Sequence, residues 1–168
     1  PPAAAAIALF FILSATPPAY AHKPLFDEPD STGFGDAKMI RDPAVSYAIY
    51  TNLESPEDVD FYARNVDKAM VLEAGMLVPK AEGYEDFYPC YAIVGPDLPA
   101  ADAPLPVKLP EGWGALAVIP QPASPRPTFY EPFTRTSYYE GIPNLKRRVA
   151  KKATYYLIVW HPEGQTGG

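Results

Sequence analysis

From position 45 to position 160 the chain runs through short stretches in which apolar and polar residues alternate, the period of strands with one buried face. Val45-Ser46-Tyr47-Ala48-Ile49-Tyr50 sets Val45, Tyr47 and Ile49 on one side, and Asn52 to Asp58 follows as an Asx- and Pro-containing turn. Val59 to Arg64 resumes the extended pattern. Met70, Leu72, Ala74, Met76 and Val78 then alternate with Val71, Glu73, Gly75 and Leu77, which predicts one long strand with a bulge at Gly75. Phe87 to Val94 reads as a strand that Pro89 confines to an edge or to its own beginning, and Trp113 to Ile119 reads as another. At the end, Leu145 to Val149 is expected to pair as a hairpin with Thr154 to Trp160 across Ala150 to Ala153.

Strands this short bury their apolar faces only by packing sheet on sheet. The expectation is therefore an all-β, jelly-roll-like two-sheet β-sandwich of seven or so strands over 45–168. Residues 22–44 read as an extended lead-in with no sustained period. Between Pro96 and Pro132 ten prolines mark a long loop with one strand inside it. The tail Gly164-Gln165-Thr166-Gly167-Gly168 resembles a hairpin turn, so the domain is expected to lack its last strand.

Composition agrees with that reading. A chain of 168 residues holds one domain, and 22 Pro with 11 Gly disfavour long helices. The 12 Tyr and 8 Phe argue against disorder. A net charge of -6 sets the surface as a whole against nucleic acid. The cations are unevenly placed, with Lys146, Arg147, Arg148, Lys151 and Lys152 falling within seven residues. Such a run suits a polyanion or a lipid headgroup surface, and equally the protection of an exposed strand edge.

Ala3 to Ala15 is an uncharged apolar run of the length found at the centre of a secretory leader and too short to span a bilayer. Thr16-Pro17-Pro18 ends it, and Ala19-Tyr20-Ala21 presents small residues where a signal peptidase reads. Residues 1–21 are expected to be a signal helix truncated at its start, cut after Ala21 to leave His22 first and to place the protein outside the cytoplasm. The single cysteine, Cys90, closes no internal disulfide and reads as a small buried hydrophobe.

Asp58-Val59-Asp60-Phe61-Tyr62 after a strand and a polar turn, together with Ala153 to Val159 before the glycine-containing tail, resembles the bacterial pre-peptidase C-terminal domain. The resemblance covers roughly Val45 to Gly168. It implies a jelly-roll-like sandwich serving as a noncatalytic accessory module on secreted proteins, with calcium in some members. Asp58 and Asp60 match the motif. The Pro-rich excursion is longer than that family's middle region, and residues 1–44 ahead of the segment hold no peptidase domain.

Calcium takes six to eight oxygens, often from carboxylates in a turn. Glu57, Asp58 and Asp60 form the candidate set, with Asp27, Glu28 and Asp30 or Glu82, Glu85 and Asp86 as contributors. The plainer alternative is solvated acids around a capped turn. A copper alternative uses the amine and imidazole of an N-terminal His22 completed by His161, since nitrogen ligands suit copper. Tyr84, Tyr130, Tyr138 and Tyr139 are candidates for a sugar-binding platform, although tyrosines in sandwiches usually serve packing. No Gly-x-Ser-x-Gly elbow and no phosphate-cradling glycine loop occurs. The chain is thus expected to be an exported noncatalytic interaction module, with calcium as a candidate stabilising ion and a copper-binding periplasmic protein as the alternative. Its partner would be a protein or glycan at the cell surface, and a membrane would be reached only through an anchor after Gly168.

Overall fold

The computed structural model describes residues 22–132 and 134–168. The expected leader, 1–21, lies outside the described residues. Twelve strands form among those described: β1 (Lys23–Phe26), β2 (Lys38–Met39), β3 (Tyr47–Tyr50), β4 (Val59–Val66), β5 (Met70–Ala74) and β6 (Val78–Pro79), then β7 (Cys90–Pro96), β8 (Trp113–Val118), β9 (Thr128–Glu131), β10 (Thr136–Tyr139), β11 (Leu145–Val149) and β12 (Ala153–Trp160). The fold is all-β and consistent with a sandwich. Among the described residues no helix is long and apolar enough to cross a membrane.

One five-stranded sheet, ordered β2-β4-β12-β7-β8, forms the first layer. It is antiparallel except that β2 joins β4 in parallel. Three small ladders, β1-β3, β5-β11 and β6-β10-β9, make up the opposing layer. Tyr62, Tyr91 and Val159 of the large sheet pack there against Leu53, Val78 and Tyr139, with Leu25 and Ile49 alongside. On the other face Phe61, Ala92 and Ile158 are covered by loops that bring in Phe34, Leu105, Val107 and Leu109. Burial on both faces explains why β7 reads Tyr-Ala-Ile-Val without alternation.

Two glycines let the chain pack closely on the face that β5 and β11 cover. Gly95 and Gly114 face each other across the β7–β8 ladder. A Cβ on Gly95 would come 2.5 Å from the Tyr155 ring, and one on Gly114 would collide with the backbone of Leu98 and Pro99. The Pro-rich loop thus returns directly over the sheet, with Ala115 N–H donating to Pro99 C=O at 2.9 Å.

Several expectations need correction. Leu145–Val149 and the last strand do not form a hairpin: β11 pairs with β5, whereas β12 lies between β4 and β7. The turn at 150–152 therefore carries the chain from one layer to the other. The predicted long strand 70–78 is two strands in different ladders, and the break falls at Gly75, where a Cβ would collide with the Asn144 side chain. The lead-in supplies β1 and β2, and the region after the Pro-rich stretch forms the β9–β10 hairpin. The tail is not a bare turn, since Leu53 and Gly167 exchange two backbone hydrogen bonds at 2.9 and 3.0 Å.

Candidate metal centre

At one end of the sandwich three aspartates converge. β1 and β3 run in parallel and end together, with Asp27 N–H donating to Tyr50 C=O at 3.1 Å, so Asp27 and Thr51 emerge side by side. Asp60 is the second residue of β4 and shares a face with Tyr62, the face that β1 and β3 cover. The loop after Asp27 is pinned by buried Ser31, which donates to Phe61 C=O at 2.9 Å and accepts from Phe61 N–H at 3.0 Å. That double bond mimics a strand partner and holds Asp30 above Asp60. One carboxylate oxygen from each of Asp27, Asp30 and Asp60 lies within 4.8 Å of the others.

Their partners differ. Asp27 Oδ2 accepts from the Tyr62 hydroxyl at 2.7 Å, and Oδ1 lies 2.9 Å from Lys38 Nζ, an ion-pair contact without good hydrogen-bond geometry. Lys38 also donates to Phe26 C=O at 2.9 Å. Asp60 is 1% exposed; its Oδ2 accepts from the Thr51 hydroxyl, while its Oδ1 is buried with no hydrogen-bond partner. Burial first of all pushes the Asp60 carboxyl up to about 8, the Thr51 hydrogen bond opposes this, and the charges of Asp27 and Asp58 and a carboxyl–carboxyl hydrogen bond with Asp30 add to it. Without an ion Asp60 thus keeps its proton at neutral pH, so one ammonium faces two carboxylates and a neutral acid, and an orphaned buried oxygen costs about 1–3 kcal/mol unless something satisfies it.

The donors are all oxygen, which suits a hard divalent cation and not copper or zinc. Two ligands of one calcium ion, each about 2.4 Å from it, lie at most about 5 Å apart. The three aspartates fit within that span.

Of the residues read from sequence, Asp60 belongs to this centre and Asp27 and Asp30 join it as contributors. Asp58 does not: its Oδ2 accepts from Glu54 N–H at 2.6 Å and caps the turn, and Glu57 is exposed. Glu85 likewise accepts from Gly83 N–H at 2.9 Å. The two histidines are placed apart. His22 bonds Ser46 Oγ through Nδ1 at 2.8 Å, and the length of β1 sets it about 16 Å from Asp27. His161 follows β12 at the Asp60 end, stacked on Phe87, and its Nδ1 accepts from Glu163 and Gln165 N–H at 3.2 and 3.1 Å. Burial lowers its pKa, and its buried Nε2 has no hydrogen-bond partner among the described residues.

Cys90 is fully buried and burial pushes its thiol up to about 11, as expected for a packing residue. Tyr139 is in the core, where it and Tyr88 sandwich the Arg126 guanidinium at 4.7 and 4.0 Å. Tyr130 points outward at 57% exposure, stacked with neither of the other two suspects from its hairpin. The exposed aromatic pair missed by sequence reasoning is Phe26 and Tyr50, stacked at 5.2 Å across the β1–β3 ladder. They line a cleft of about 240 Å³ together with Asp27, Asp30, Thr51 and Asn52. Nothing in the spacing of positions 26 and 50 signals this, because a parallel pairing between them has no local turn to announce it.

No protein-family model, curated protein or solved structure matches the chain.

Proposed function

We propose that the chain is an exported, noncatalytic interaction module whose ligand-facing end is organised by calcium held between Asp27, Asp30 and Asp60. The observation that carries this reading is the buried Asp60 Oδ1, which meets no N–H or O–H donor of a neighbour unless a proton is shared with Asp30, in a cluster with two further carboxyls and only one lysine among the described residues. A divalent cation supplies the missing partner and the positive charge that lets Asp60 give up its proton. The Asp58-Val59-Asp60 segment behind the resemblance to the pre-peptidase C-terminal domain contributes Asp60 to this centre, which supports the same reading. The exposed Phe26–Tyr50 stack on the lip of the cleft offers an apolar contact face for a protein or glycan partner.

Thermal melting in EDTA against 10 mM calcium tests it. A site with a dissociation constant of about 10⁻⁴ M, in the range of extracellular modules, gains about 2.7 kcal/mol at a hundredfold excess of ion. That raises the melting temperature by roughly 5–10 °C. Asp60→Asn is expected to remove the response; equal melting in both buffers would overturn the reading.

A further inference from the structure

We infer that the opposite end of the sandwich, around β11 and the turn into β12, docks on an anionic lipid surface, with Arg147, Arg148 and Lys152 as its free cations. This does not rest on the calcium reading. In the β4–β12 ladder Ala153 faces Val66 and Val159 faces Asp60. Six residues of strand therefore separate the basic turn from the aspartate cluster, about 20 Å.

The cations of this end are exposed, and two are already engaged: Lys146 pairs with Glu73 at 2.9 Å and Lys151 with Asp97 at 3.3 Å. Arg147, Arg148 and Lys152 are in no ion pair among the described residues. The β4–β5 turn adds Lys68 and Asp67 to the same end. Counting all neighbours, six cations stand against three anions, so this end is positive although the chain carries -6.

Screening decides whether the overall negative charge matters. At 0.1 M salt the Debye length is about 10 Å, so carboxylates about 20 Å behind the face act with on the order of one seventh of their unscreened effect. The local positive charge wins at contact. The molecule is then a dipole that meets a planar anionic surface with one end and holds its acidic cleft away from it, whereas a long flexible polyanion would be repelled wherever it passed the acidic end.

Protecting the outer edge of β11, which has no strand partner among the described residues, is the rival explanation. Charge of either sign serves that purpose. Residues 145–152 hold five cations and no anion in a chain with more acids than bases. Val71, 46% exposed and directly opposite Arg148, adds an apolar contact where edge protection would ask for another charge.

The test is co-sedimentation of the full chain with vesicles of phosphatidylcholine containing about 30% phosphatidylglycerol, in EDTA, at low and high salt. Binding that falls with salt and is absent on pure phosphatidylcholine is expected. The triple variant Arg147→Ser, Arg148→Ser, Lys152→Ser should partition roughly 100-fold more weakly, at about fivefold per cation. The variant Arg147→Lys, Arg148→Lys keeps the charge and should bind as the parent does. Equal binding to neutral vesicles, or undiminished binding by a folded triple variant, overturns the proposal. So does salt-sensitive self-association, or capture of soluble polyphosphate, without vesicle binding.

Discussion

The Tyr62 hydroxyl donates to Asp27 Oδ2 at 2.7 Å and so ties the central sheet to the segment that leaves β1, 35 residues earlier in the chain. Burial pushes the Tyr62 phenol well above its ordinary range, so it stays a donor at every working pH. Tyr62→Phe keeps the ring in the core and removes only that donor. A hydrogen bond to a charged group contributes about 1.5–3 kcal/mol, and urea unfolding of Tyr62→Phe is expected to show a loss of that size. A variant as stable as the parent would mean that Asp27 is held by Lys38 alone.

Asp60 gives a pH dependence of defined sign. Its carboxyl sits near 8 in the fold against an ordinary 3.8, so the folded chain keeps a proton that the unfolded chain releases. In a chelating buffer the stabilisation from this group is complete below about pH 4 and is lost as pH rises through about 8. The span is on the order of 5 kcal/mol over the whole window. Asp60→Asn removes the titrating group while keeping its shape. Melting curves between pH 5 and 8 should therefore fall for the parent relative to Asp60→Asn; parallel curves would contradict the assignment.

Arg126 fastens the Pro-rich stretch to the sandwich. Beyond its two tyrosine faces, its Nη1 donates to the carbonyls of Tyr84, Glu85 and Phe87 at 3.1, 3.3 and 2.9 Å. No compact ammonium reproduces that planar fork between two rings. Arg126→Lys is expected to cost about 1–3 kcal/mol in denaturant unfolding, chiefly by leaving the carbonyl of buried Phe87 without this donor. Limited proteolysis should cut first between residues 119 and 127, and unchanged cleavage there would show that the loop is held by other contacts.

Gly114 is the place where the loop backbone touches the sheet. Gly114→Ala must push Leu98 and Pro99 away and weaken the Ala115–Pro99 hydrogen bond. Overpacking of this kind costs about 1–3 kcal/mol. Denaturant unfolding reads it directly, and Gly112→Ala provides the comparison, because no atom lies within 4 Å of a Cβ there and only its positive φ of 76° opposes the change.

What the sequence revealed follows from how local each signal is. Val59 to Arg64 and Trp113 to Val118 were legible because composition and neighbouring turns agreed on strands. β1 was not, since Pro24 interrupts its pattern and its parallel partner lies more than twenty residues away. Leu145–Val149 and the last strand looked like a hairpin because four residues separate them, yet that same spacing suits a crossing between layers. Which occurs depends on β5 and β4, whose positions no local pattern encodes. The site divided in the same way. Asp58 and Asp60 sit two apart and point to the same side of a regular strand, but Asp58 precedes β4 in the turn and is spent on Glu54 N–H. Asp30 reaches Asp60 through the Ser31–Phe61 pairing, a contact across thirty residues, and Asp27 through the parallel β1–β3 ladder and the Tyr62 hydroxyl.

The most direct test of the central claim is terbium luminescence, because a trivalent oxygen-seeking ion in the aspartate cluster would lie beside the Tyr62 phenol that is bonded to one of its ligands. Excitation of tyrosine should produce terbium emission that calcium displaces, that Asp60→Asn abolishes and that Asp58→Asn leaves intact. Emission that is absent from the folded parent, or that persists unchanged in Asp60→Asn, would contradict a cation centre between Asp27, Asp30 and Asp60.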